Sequence, residues 1–247
     1  MELIDEACTF DELIMVLILL FHGVGFRLNY ASIIAKSLRF VKRLEKRGND
    51  VIIIVMKDEK APVVGRAEYK LDGALRAFGA TGLFRGKTIL DIGSSTGGFT
   101  ECALRFGAEK VVAVEKGSRQ MKAPLCFDPR VELHEKTDIF DFWPEKKPDI
   151  IVADVSFVSL AKVLGYAQDV LARQDTEFFV MLKPQFESAP RQLKNGVVKN
   201  NKMRREIIAR FEQWLKANRF LVVAKRDNEL AGRFGNVERF YWLRLAK

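Results

Sequence analysis

Residues 91–99 read D-I-G-S-S-T-G-G-F, between an apolar run at 88–90 and a helical pattern. A strand, a glycine loop and a helix are expected there. Gly93, Gly97 and Gly98 open backbone conformations closed to other residues and leave no side chain between the main chain and a ligand. The loop is therefore built for close ligand contact, and a side chain at Gly97 is expected to intrude on that ligand. A dinucleotide fingerprint spaces its glycines G-x-G-x-x-G. This loop reads G-x-x-x-G-G, with one acid ahead of it, Asp91, and a second, Glu115, closing the next apolar run. That spacing favours S-adenosylmethionine over NAD. Other charged residues stand at comparable places: Asp154 closes the run 150–153, Lys183 closes 178–182, and Glu238, in G-N-V-E, directly precedes the last apolar run. In open α/β sheets ligands sit beyond the carboxyl ends of the strands, so these residues, with Lys70 on a preceding helix, form a candidate site.

The elements that must position them alternate strand and helix, as a doubly wound sheet requires. Strands are expected at 88–91, 110–115, 131–134, 150–153, 178–182, 220–224 and 240–245, and helices at 98–105, 159–172 and 202–218. A further helix over 66–78 carries the apolar stripe Leu71, Ala74, Leu75 and Phe78, with Lys70 to one side. Seven strands fit a Rossmann-like, methyltransferase-type α/β sheet. At 247 residues, 48% apolar and 30% charged, the chain suits one sizeable core plus a small appendage. Its three cysteines lack C-x-x-C spacing and only two histidines accompany them, which points to a reducing, cytoplasmic setting and to no metal site.

Charge is placed unevenly. From Lys183 onward lie 16 of the 41 Lys and Arg but 6 of the 32 Asp and Glu, a net of +10 against +9 for the whole chain. A basic C-terminal third is the electrostatic footprint of a polyanion partner. Residues 1–60 read as a separate, divergent segment, ahead of the domain at 61–247. Residues 13–26 are apolar for about 14 positions, short of the roughly 20 that span a bilayer, and acids rather than bases precede them. A buried helix is expected there, a basic helix at 35–47, a turn at 48–50, a β-branched strand at 51–56 and a linker at 57–62.

The chain resembles the TlyA family of FtsJ-like RNA 2′-O-ribose methyltransferases, some of which have been called haemolysins. The likeness runs from about residue 64 to 241 and rests on A-E-Y-K-L-D-G-A-L, L-D-I-G-S-S-T-G-G-F-T, D-P-R-V, D-V-S-F-V-S-L, L-K-P-Q-F-E, G-V-V-K and G-N-V-E, in that order. The resemblance implies a catalytic tetrad at Lys70, Asp154, Lys183 and Glu238. A ribose hydroxyl must lose its proton before it attacks, and a lysine can take that proton only when burial or a nearby cation lowers its pKa. Lys183 is assigned the role of base and Lys70 that of neighbouring cation, with Asp154 and Glu238 orienting the amines and the hydroxyl. For the cofactor, S-adenosylmethionine, it implies Asp91, Gly93, Ser94, Gly97, Gly98, Phe99, Glu115, Asp138 and Asp154, with the backbone around Gly93 to Gly98 near the methionine end, Glu115 on the ribose diol and Asp138 on the adenine amino group. The implied partner is ribosomal RNA or a ribosomal subunit.

The amino end departs from that pattern. The family's G-x-V-x-V-N-G turn is missing, residues 35–57 read as a divergent half of its small RNA-binding domain, and its S-R-G-G is replaced by Gly65-Arg66-Ala67-Glu68. A membrane-active or RNA-binding protein that keeps the fold without methyl transfer is the second reading, carried by residues 13–26. The tetrad and the cofactor loop favour the enzyme.

Overall fold

The computed structural model describes residues 41–47, 50–55, 66–228 and 235–246. The chain divides at 62/63 into two compact units. In the first, β1 (Val41–Arg47) pairs antiparallel with β2 (Asp50–Val55), from Val41 opposite Val55 to Arg47 opposite Asp50. The strand expected at 51–56 is present, but the basic helix expected over 35–47 is replaced, from Val41 on, by a strand. A β-branched strand has to pair its backbone groups, and the segment two residues upstream supplies the partner. The expected helix at 13–26 and linker at 57–62 lie outside the described residues. Among the described residues no helix is long and apolar enough to cross a membrane.

The second unit holds a seven-stranded sheet. Its strands are β3 (Thr88–Ile92), β4 (Lys110–Glu115), β5 (Val131–Glu135), β6 (Ile150–Ala153), β7 (Glu177–Leu182), β10 (Phe220–Asp227) and β11 (Arg239–Leu245), while β8 (Leu193–Lys194) and β9 (Val197–Val198) form a separate small hairpin. The order across the sheet is β10-β11-β7-β6-β3-β4-β5, with β11 antiparallel to both its neighbours and β3 to β7 mutually parallel. All seven expected strands are present. The helices are α1 (Arg66–Phe78), α2 (Gly98–Arg105), α3 (Leu160–Tyr166), continued by a π turn over Ala167–Leu171, and α4 (Asn201–Ala217).

Side chains alternate across the strands, so the sheet has two apolar faces. Ile89, Val111, Val152, Phe179 and Met181 pack on one face with Leu71, Leu75 and Phe99 of α1 and α2. Leu90, Val112, Ile151, Phe178 and Val180 pack on the other with Val163 and Leu164 of α3 and Ile208, Phe211 and Leu215 of α4. Where α1 crosses α2, a Cβ on Gly98 would lie 2.9 Å from Ala67 Cβ and 3.0 Å from the Glu68 backbone nitrogen, whereas one on Gly73 would meet nothing within 4 Å. Gly98→Ala should therefore destabilise the protein by about 1–3 kcal/mol through overpacking, and Gly73→Ala should stabilise it by roughly 0.5–1 kcal/mol through helix propensity. Urea midpoints of the two variants check the opposite signs.

Candidate active site

β6 and β7 end on the same edge of the sheet, and the side chains of the residues that follow them, Asp154 and Lys183, meet there. Because β11 is antiparallel, with Arg239 opposite Leu182, its first residue also lies at that edge and carries Glu238 with it. Lys183 Nζ lies 2.7 Å from Asp154 Oδ1 and donates to Ser156 Oγ at 2.8 Å and to the Asp154 carbonyl at 3.3 Å. Lys70, from α1, pairs its Nζ with Glu238 Oε2. The side chains of Lys70 and Glu238 keep 11% and 4% of their surface exposed, those of Lys183 and Asp154 11% and 18%.

Burial pushes the Asp154 carboxyl above its ordinary value, Lys183 and then Lys70 pull it back, and Glu238 adds to the push. All four charges thus act within one electrostatic site. Lys70, expected as the cation neighbouring Lys183, pairs with Glu238, and its field reaches Asp154, the partner of Lys183.

The glycine loop follows β3. Gly93 (φ +78°) and Gly97 (φ +94°) occupy the left-handed region, and the amides of Gly93 and Ser94 both donate to the Val114 carbonyl of β4. A Cβ on Gly97 would lie 2.5 Å from Leu125 Cδ1, so a side chain there requires Leu125 to shift. Gly98, as above, serves helix packing. What the loop leaves open is polar. Among the described residues, Ser94 Oγ and Asp91 Oδ1 are buried without a hydrogen-bond partner, while Asp91 Oδ2 accepts from Thr100 Oγ1 at 2.6 Å. Orphaned acceptors of this kind suit a ligand that brings ammonium and hydroxyl donors.

Other expected cofactor residues already have work. Glu115 Oε1 accepts from the amide of Gly117 (2.6 Å) and from Gln120 Nε2 (3.2 Å), and Oε2 from the amide of Ser95 (2.9 Å), leaving room at Oε2 for one more donor. Asp138 Oδ1 caps a short 3₁₀ turn at Phe140 N (3.2 Å), and Oδ2 holds Lys116 Nζ at 2.8 Å, a pairing that lowers its pKa. Phe99 buries its ring against Phe240, centroids 5.8 Å apart, so only its backbone can serve a ligand.

Three residues of this neighbourhood were missed. Ser156, two positions after Asp154, was within reach of the strand-end argument. Thr100 carries no signal, since its pairing with Asp91 needs the helix in place. Phe157 is 91% exposed at φ +64°, with its ring 5.1 Å from that of Phe186, and a bulky residue in that backbone region is not readable from sequence.

The sheet order and the loop after β3 define the fold of S-adenosylmethionine-dependent methyltransferases. A solved protein of that description from Listeria monocytogenes shares the fold, with TM-score 0.53 at 15% identity over 72% of this chain and 99% of that one. The FtsJ-like methyltransferase family model matches residues 63–245, and the chain belongs to that family. It is 38% identical to the Mycobacterium tuberculosis 16S/23S rRNA (cytidine-2′-O)-methyltransferase TlyA over 84% of this chain and 78% of that protein. A solved structure named as a hemolysin, from Lactococcus lactis, gives TM-score 0.69 at 32% identity, covering 74% of this chain and 88% of that one.

Burial raises the Asp91 carboxyl to about 7, with Thr100 opposing the shift. The folded state then binds this proton more tightly than the unfolded chain, whose carboxyl titrates near 3.8, so stability falls as pH rises from about 4 to about 7. Asp91→Asn should remove that component. Thermal midpoints measured across this window should drop less with pH in Asp91→Asn than in the parent; parallel curves would refute the assignment.

Proposed function

We propose that this chain methylates the 2′-hydroxyl of a ribose in ribosomal RNA, with S-adenosylmethionine as donor and Lys70, Asp154, Lys183 and Glu238 as the working side chains. The meeting of two lysine–carboxylate pairs at the carboxyl edge of the sheet carries this reading. Its similarity to an enzyme named for cytidine 2′-O-methylation of rRNA supports the substrate class. When bound, S-adenosylmethionine supplies a sulfonium methyl already activated for in-line transfer. The protein has to supply the base and the alignment. Lys183 takes the hydroxyl proton, Asp154 and Ser156 hold its amine, and Glu238 with Lys70 orients the hydroxyl.

For the cofactor, the backbone of Gly93, Gly97, Gly98 and Phe99 faces the methionine end. Asp91 Oδ1 and Ser94 Oγ meet its polar groups, Glu115 Oε2 accepts from the ribose diol, and Asp138 turns from Lys116, which is 80% exposed, to the adenine amino group. The RNA follows the basic C-terminal third, helped by residues 1–60 as a divergent RNA-binding segment, in the cytoplasm.

Lys183→Ala should lower methyl incorporation into ribosomal subunits by ~10²–10⁴-fold while leaving cofactor affinity close to that of the parent. Lys183→Arg should fail as well, because guanidinium stays protonated. Tritiated methyl transfer run beside a binding titration tests both, and near-parent activity in Lys183→Arg would exclude Lys183 as the base.

Arg204 is a poor probe of RNA contact, since it is bound to Asp227 Oδ1 (2.6 Å) and the Val237 carbonyl (3.0 Å). Lys202 and Arg205 are exposed on α4. Reversing both charges should weaken RNA binding irrespective of sequence and reduce its salt slope by about 2. Titrations between low and moderate salt measure the slope; an unchanged one would remove α4 from the interface.

A further inference from the structure

We infer that Glu187 is a positioning residue for the Lys183–Asp154 pair, acting through the loop between β6 and α3; the inference rests on the proposed role of Lys183. Helix α3 begins at Leu160, yet its N-cap residue Ser159 makes no capping bond with its own side chain. The cap comes from elsewhere. Glu187 Oε1 accepts from the Leu160 amide at 2.5 Å and Oε2 accepts from Ser159 Oγ at 2.8 Å, across 27 and 28 residues of sequence. A carboxylate at a helix N-terminus is favourable in itself, but this one also ties the loop after β7 to the loop after β6.

Each of these loops starts at a residue of the candidate site. One leaves β6 as Asp154 and reaches Ser159; the other leaves β7 as Lys183 and reaches Glu187 through a 3₁₀ turn over Pro184–Phe186. The two loops are joined at their near end by the Lys183–Asp154 ion pair and at their far end by Glu187. Between these joints lie Ser156, which takes a hydrogen bond from Lys183 Nζ, and Phe157, held at φ +64°. A bulky residue keeps that conformation only where its surroundings over-determine it. Glu187 is itself held, since Arg210 of α4 donates to its carbonyl at 2.9 Å and its amide donates to the Pro184 carbonyl at 3.2 Å. Releasing the far joint lets the 154–159 loop relax, and with it two of the acceptors that fix the Lys183 amine, the Ser156 hydroxyl and the Asp154 carbonyl.

Glu187→Ala should lower kcat on the order of 10–10²-fold, the scale of a small misplacement of a reacting group, with cofactor affinity and KM for RNA near parent values. Glu187→Gln keeps an acceptor for the Leu160 amide and should recover most of the rate. Ser159→Ala breaks one of the two contacts without emptying the cap, and combined with Glu187→Ala it should add little, because both act through the same joint. The readout independent of methyl transfer is acylation of lysines by an N-hydroxysuccinimide ester, followed by mass spectrometry. Labelling of Lys183 should rise several-fold in Glu187→Ala while that of Lys70 stays constant. If the parent proves inert on ribosomal subunits but Lys183 labelling still rises, the positioning role stands and the functional reading falls. Unchanged kcat and unchanged Lys183 labelling in Glu187→Ala would overturn the inference. So would a loss of rate matched by equal loss of cofactor binding and folded protein, which marks a cap and nothing more. Should Glu187→Ala fail to fold, Glu187→Gln and Ser159→Ala decide by the same two readouts.

Discussion

The antiparallel pairing of β11 with β7 is the contact on which the site depends. In a wholly parallel sheet every strand would deliver its last residue to the carboxyl edge and its first to the opposite one. Reversing β11 inverts that rule for one strand, and the register sets Arg239 against Leu182. Glu238, which precedes β11, therefore lies level with Lys183, which follows β7. The strands themselves are saturated with apolar contacts: β6 and the last five residues of β7 are fully buried, so strand ends are where charge can be accommodated. The reversal brings one carboxylate more to that edge than parallel strands alone could supply.

Placing two ion pairs in so enclosed a position does not stabilise the fold much. Desolvation offsets the attraction between buried charges, and removing one partner leaves the other uncompensated. Their arrangement is better understood as poise. The Asp154 carboxyl is pushed toward its neutral form by burial and toward its charged form by two lysines, and such opposed influences gather at functional sites more often than at purely structural ones. Lys183 Nζ is held by its ion pair with Asp154 and by hydrogen bonds to the Ser156 hydroxyl and the Asp154 carbonyl. These contacts fix where that nitrogen sits.

The strands, and the places of Asp154 and Lys183 just beyond two of them, were legible because they rest on local signals. Apolar runs that end in a charged residue mark both a buried strand and its exit, and α1 declares itself through Leu71, Ala74 and Leu75, all buried as its periodicity requires. Elements that depend on a distant partner were not legible. Val41–Arg47 has the composition of a basic helix and becomes a strand because Asp50–Val55 needs one. Glu187 looks like a surface acid after L-K-P-Q-F, and only the tertiary fold brings it to Ser159 and Leu160. Gly97 and Gly98 announce a crowded backbone, but sequence does not say what crowds it. Leu125 and Ala67 do.

That last point changes how the loop after β3 should be understood. Its glycines let the chain turn sharply at Gly93, start α2 at Gly97 beneath Leu125, and bring α2 against α1 at Gly98. The groups that the folding leaves with spare hydrogen-bonding capacity are Ser94 Oγ, Asp91 Oδ1 and Glu115 Oε2. A buried acceptor without a donor costs free energy in the unliganded protein, and a ligand that supplies the donor recovers it on binding. Burial pushes the Asp91 carboxyl up to about 7. A cation placed at Oδ1 would pull that value down, so proton release on binding should be largest where Asp91 is half protonated.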